Sequence, residues 1–165
     1  MTPREVAYLV VIVALGAQVG RDMLALHRWR PGLFRAGPVL MRHKKPLASL
    51  PRVIPMPNLR TGWFYSAKYK VLSELEVAFT AATFNAPCLL GRLVVERDGP
   101  SLIMQARPLW SLYAIFLVGF MLARFPWYAI LFVVGLMAVN VIWEVGTFHR
   151  LFRNVGDQID HDSGV

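Results

Sequence analysis

A single cysteine, Cys88, excludes an intrachain disulfide and leaves no Cys-based zinc site to build. The chain also lacks GxxxxGK(S/T), GxGxxG, HExxH and GxSxG, the short patterns that cradle phosphates or dinucleotides, hold a catalytic zinc or present a nucleophilic serine. None of the four histidines, His27, His43, His149 and His161, falls inside an apolar run, so haem or pigment within a bilayer would find no imidazole at that depth. These absences point away from catalysis: neither an enzyme, nor a cofactor, nor a metal site is expected.

Acid is scarce where base is abundant. Residues 21 to 60 hold nine Lys or Arg and one acid, Asp22, which accounts for the whole formal net charge of +8. Such a segment suits an acidic surface or partner. Proline recurs in it at 31, 38, 46, 51, 55 and 57, disrupting helix and central strand alike, so an extended basic arm is expected over 31–61. Its Leu33, Phe34, Val39, Leu40, Leu47, Leu50, Val53 and Ile54 are too apolar for a solvated linker. The arm is therefore read as lying on other membrane-protein subunits or on anionic phospholipid headgroups. The residues expected to make that contact are Arg35, Arg42, Lys44, Lys45, Arg52, Phe34, Leu40 and Leu50. Nucleic acid is not an expected partner.

What the chain has in quantity is hydrophobicity: 56% of its 165 residues, which favours a membrane protein over a soluble globule. VAYLVVIVALGAQVG, residues 6 to 20, is short against the roughly 20 residues a span needs but extends through MLALHRW if Arg21, Arg28 and Arg30 reach toward headgroups. It reads as a signal anchor, in competition with a cleaved signal peptide ending near Ala14-Leu15-Gly16. LWSLYAIFLVGFMLA, 109 to 123, and WYAILFVVGLMAVNVIW, 127 to 143, are joined only by Arg124-Phe125-Pro126 and read as a helical hairpin with Trp and Tyr at its ends. Gly16 with Gly20, and Gly119 with Ala123, have the small-xxx-small spacing of helix contact faces.

Between these spans, alternation in WFYSAKYKV, residues 63 to 71, predicts a strand. Ser73 and Glu76 have capping-box spacing, which predicts a helix with Leu75, Ala78, Phe79 and Ala82 on one face, ended by Asn85 and Pro87. CLLGRLVVER and SLIMQAR flank Asp98-Gly99-Pro100 as a hairpin. The expected fold class is an α-helical membrane protein of three transmembrane helices, one N-terminal and two in a C-terminal hairpin, with a small cytoplasmic α+β (β-α-β-β) unit and the Pro-rich arm. Its segments are 1–30 (first span with interfacial extension), 31–61 (arm), 62–107 (α+β unit), 108–148 (hairpin) and 149–165 (polar tail).

Basic residues concentrate on one side of the spans, which puts the N-terminus outside and residues 21–106 and the C-terminus in the cytoplasm of a cell's inner membrane. Three smaller groups read as structural. Asp157, Asp160, His161 and Asp162 form a solvated acidic tail, or one that pairs with the arm; Glu144 is a hydrated residue at the inner end of the last span; Cys88 is a buried thiol. The expected function is a non-catalytic accessory or assembly subunit of a larger membrane complex, bioenergetic assemblies being the commonest setting. The alternatives are a small oligomeric channel or transporter and a stand-alone anionic-lipid-binding membrane protein.

Overall fold

Proline leaves one opening in the basic arm, residues 39 to 45, and the chain uses it to make a strand. In the computed structural model, which describes residues 2–56, 65–83, 87–109, 113–114 and 126–162, the elements are α1 (Pro3–His27), α2 (Pro31–Arg35), β1 (Met41–Pro46), β2 (Tyr65–Ser73), β3 (Glu76–Thr83), β4 (Leu89–Glu96), β5 (Ser101–Pro108) and α3 (Trp127–Asp162). The five strands form one sheet in the order β1-β5-β4-β3-β2, every neighbour antiparallel.

Strands β2 to β5 are a simple meander. The hairpin predicted around Asp98-Gly99-Pro100 forms, with Glu96 opposite Ser101. The predicted helix after Ser73 does not: Glu76–Thr83 is strand β3, paired with β2 and β4. Ser73 and Glu76 are the two corners of a tight turn and sit opposite each other in the ladder. EVAFTAAT is rich in β-branched and aromatic residues, and its Val77, Phe79 and Ala81 alternate onto one core while Ala78 faces the other. Period two wins over the capping signal because both faces of this strand are buried. The compact unit is therefore a meander with an added strand, not β-α-β-β.

The arm is the second correction. Instead of lying wholly on a partner or on lipid, it contributes β1 to the chain's own sheet, paired with β5 from Met41–Ala106 to Pro46–Ser101. A basic strand ending in proline is tolerated because β1 is an edge. Around it, Leu47 and Ile54 are buried in the main core and Phe34 in a second one. The Ile54 N–H donates to the Glu74 carbonyl at 3.3 Å.

Nor are residues 149 onward a polar tail. Helix α3 runs unbroken for 36 residues, and Phe148, Leu151, Phe152, Val155 and Ile159 fall at helical spacing on the face that covers the sheet. Burying each such side chain stabilises by about 2 kcal/mol, as an upper estimate. Phe79 and Phe148 meet edge to face, 4.6 Å between centroids, above Gly91, where a Cβ would stand 2.2 Å from the Phe79 ring.

The remaining halves of the two long helices are bare. Val6 and Tyr8 to Val13 of α1, and Trp127, Tyr128, Leu131, Phe132, Val134, Leu136, Val139 and Ile142 of α3, are exposed. By length and composition α1 and α3 can each cross a membrane. The segment 109–123 expected as another span, with Gly119 and Ala123, lies outside the described residues except at 109 and 113–114.

Candidate functional site

Helix α3 changes character at one residue. Up to Trp143 its surface is largely apolar and exposed, and from Phe148 onward it packs on the sheet. Glu144 stands at the change, fully buried. One carboxylate oxygen accepts the main-chain N–H of Cys88 at 2.8 Å and the other that of Leu89 at 2.6 Å. Asn140, one turn earlier, donates its amide to Glu144 at 3.2 Å and to the Cys88 sulfur at 3.0 Å. The four residues form a polar lock between the helix and the start of β4. Its N–H donors lie just beyond the Thr80–Leu90 pair that ends the β3–β4 ladder, so the carboxylate takes over where strand pairing stops. Burial pushes the Cys88 thiol up, which disfavours the thiolate a nucleophile or metal ligand requires.

A second carboxylate organises the opposite face of the sheet. The Glu76 side chain, 7% exposed, accepts Arg35 Nε at 3.0 Å and Arg92 Nε at 2.6 Å on one oxygen, and the Arg35 Nη2 on the other. Burial pushes its pKa up, but the hydrogen bonds from Arg35 and Arg92 outweigh that and hold it below the usual carboxylate range. The cluster ties α2 to the β2–β3 turn and to β4. Beside it a shallow cavity of about 390 Å³ is lined by Ser73, Glu74, Leu75, Glu76, Val94, Val95 and Arg97.

The residues expected to meet a partner or lipid are dispersed. Arg35 serves Glu76; Glu96 pairs with Lys44 at 2.8 Å and with Arg42 at 3.9 Å. Lys45 sits 2.9 Å from both Asp157 and Asp160, so the acidic end of α3 pairs with the basic arm. Phe34 is buried under a stacked Trp29. Leu40, Leu50 and Arg52 remain exposed. Among the described residues, nothing stands within 4 Å of a Cβ placed at Gly16 or Gly20 on α1. His149 lies edge-on to His43, 5.4 Å between centroids, and among the described residues no group of three His, Cys, Asp or Glu could hold a metal ion.

Sequence reasoning missed the role of Glu144. The available signal was an acid with an amide one turn before it, at the end of an apolar run; its partners are main-chain groups more than 50 residues away, which no motif encodes. The arrangement is suited to holding elements in fixed relation. Compared with protein-family models, with curated proteins and with solved structures, the chain matches none.

Proposed function

We propose that this chain is a three-span protein of the cytoplasmic membrane and a non-catalytic accessory or assembly subunit of a larger membrane complex. The observation that carries the reading is the continuity of α3. One rigid helix joins an exposed apolar half to a half packed on the sheet, with the buried Glu144 carboxylate bracing the junction. A bilayer would cover the apolar half, and the sheet would then be held at a fixed height above the surface.

Connectivity supports the third span. The Leu109 N–H donates to the Cys88 carbonyl at the sheet end and Trp127 opens α3 at the far end, so two points only eighteen positions apart in the chain lie at opposite ends of the bare half-helix. The bare stretch of α3 from Trp127 to Trp143, seventeen helical residues, covers about 26 Å, which fits the hydrocarbon thickness of about 30 Å. In this arrangement the N-terminus is outside and the sheet, with Arg28, Arg30, Arg107, Arg150 and Arg153, is cytoplasmic. The partners are other membrane subunits, met through the open faces of Gly16 and Gly20 on α1 and the bare face of α3, together with anionic phospholipid.

The test is extraction from the native membrane in mild detergent, with size exclusion and mass spectrometry of what co-migrates. The expected result is a complex of constant stoichiometry that Gly16→Leu with Gly20→Leu disperses, since among the described residues nothing stands against those positions. A chain that elutes alone and monodisperse overturns the subunit reading.

A further inference from the structure

We propose that the edge of the sheet from which both apolar helices leave carries a binding site for an anionic phospholipid headgroup, formed by Arg28 and Arg30 together with the apolar tip Val39–Leu40. The proposal rests on the membrane reading above and deepens it by locating the lipid contact away from most of the arm.

Both bare helices end at one edge. Helix α3 is tied there by Glu144 to Cys88 and Leu89 at the start of β4. The end of α1 is tied there through Trp29 and Phe34, which pack with Leu90 and Leu109. If the bare halves lie in hydrocarbon, this edge lies at the headgroups.

Two features at the edge suit that position. First, the connection from α2 to β1 is pinned by its backbone, the Leu40 N–H donating to the Ala106 carbonyl at 2.9 Å and Arg107 Nη1 donating to the Gly37 carbonyl. Yet Val39 and Leu40 are 39% and 60% exposed. A fixed backbone that presents two uncovered aliphatic side chains suits insertion just below the headgroups. Second, two cations there are unclaimed. Arg35, Lys44 and Lys45 serve Glu76, Glu96 and the Asp157–Asp160 pair, whereas Arg28 and Arg30 are exposed and form no ion pair among the described residues.

Their presentation is fixed by the turn between them. Trp29 has φ +50°, its N–H donates to the Leu26 carbonyl and that of Arg30 to the Ala25 carbonyl, both at 2.9 Å. That is a Schellman ending with a tryptophan in the place glycine usually takes. A bulky residue is strained there, and its ring is held by stacking on Phe34 at 5.5 Å. The turn thus anchors Trp29 inward and leaves a guanidinium on either side, groups that bind phosphate by paired N–H bonds.

The test uses the full chain in phosphatidylcholine vesicles containing a minority of phosphatidylglycerol. An environment-sensitive fluorophore is attached at Leu40→Cys or, as a control on α3, at Leu131→Cys; native Cys88 is buried. Quenching by doxyl-labelled phosphatidylglycerol is compared with quenching by doxyl-labelled phosphatidylcholine. The proposal expects both labels to be quenched. At Leu40→Cys it expects a preference for phosphatidylglycerol that falls roughly fivefold with each of Arg28→Gln and Arg30→Gln, the factor equivalent to about 1 kcal/mol per basic residue. Quenching at Leu131→Cys without quenching at Leu40→Cys, or without a lipid preference there, overturns the headgroup site and leaves the membrane reading standing. No quenching at either position overturns both.

Discussion

The main-chain N–H of Leu89 reaches a carboxylate oxygen of Glu144 at 2.6 Å, so the start of β4 is capped by a side chain of a helix 55 positions later in sequence. With the matching bond from Cys88, this makes α3 and the sheet one mechanical unit.

Removing the carboxylate therefore leaves two buried donors without partners. Glu144→Ala is expected to destabilise by about 2–6 kcal/mol, at roughly 1–3 kcal/mol for each orphaned group. Glu144→Gln keeps one acceptor and orphans one donor instead of two, so it should cost about half as much. Denaturant unfolding of the detergent-solubilised protein distinguishes the two; equal losses would show that the capping bonds contribute little.

Gly91 is fixed by the ring laid across it. A Cβ there meets Phe79 at 2.2 Å, and Phe79 cannot withdraw because Phe148 stands against it. Gly91→Val is expected to lower stability by about 1–3 kcal/mol through overpacking. Adding Phe79→Leu to the valine variant should return part of that loss, a coupling read from a double-mutant cycle.

The Glu76 cluster gives the fold an acid-sensitive component. Its pKa is held below the ordinary carboxylate value by Arg35 and Arg92 against the opposing effect of burial. The stability it contributes is therefore complete above the unfolded-state value and drains away as pH falls through the folded one. Glu76→Gln should flatten the fall in melting temperature on acidification below about pH 4.5. An unchanged pH profile would place the acid sensitivity elsewhere.

Strand β1 sets a clear test for the arm. Because residues 41 to 46 pair with β5, amide exchange on alternate residues from Met41 to Lys45 should be slowed, while Leu50 and Arg52 exchange quickly. A lipid-skimming arm without pairing would exchange throughout. Lys45→Glu, which sets three acids together with Asp157 and Asp160, should in addition speed proteolysis at the end of α3.

The bare halves of α1 and α3 were legible because hydrophobic run length is a local property. So was the β4–β5 hairpin, where the strand pattern and its turn are neighbours in the chain. The β3 strand was misread because the Ser73–Glu76 spacing serves a helix cap and a tight turn equally well, and the choice depended on what lay above and below. For the arm and tail the spacing left two readings open, a solvated acidic tail or one that pairs with the arm; Lys45 meets Asp157 and Asp160, a pairing across the fold that no local pattern selects.

The apolar helices, the excess of base in residues 21–60 and the lack of the common catalytic patterns are set by composition and short-range spacing, and so are readable along the chain. That the arm supplies an edge strand, that the tail completes the main core, and that Glu144 is a buried brace rather than a hydrated end become visible only in three dimensions. These depend on long-range pairing, where main-chain donors, carboxylates and apolar faces from distant segments satisfy one another, and burial assigns each group its role only once those segments have met.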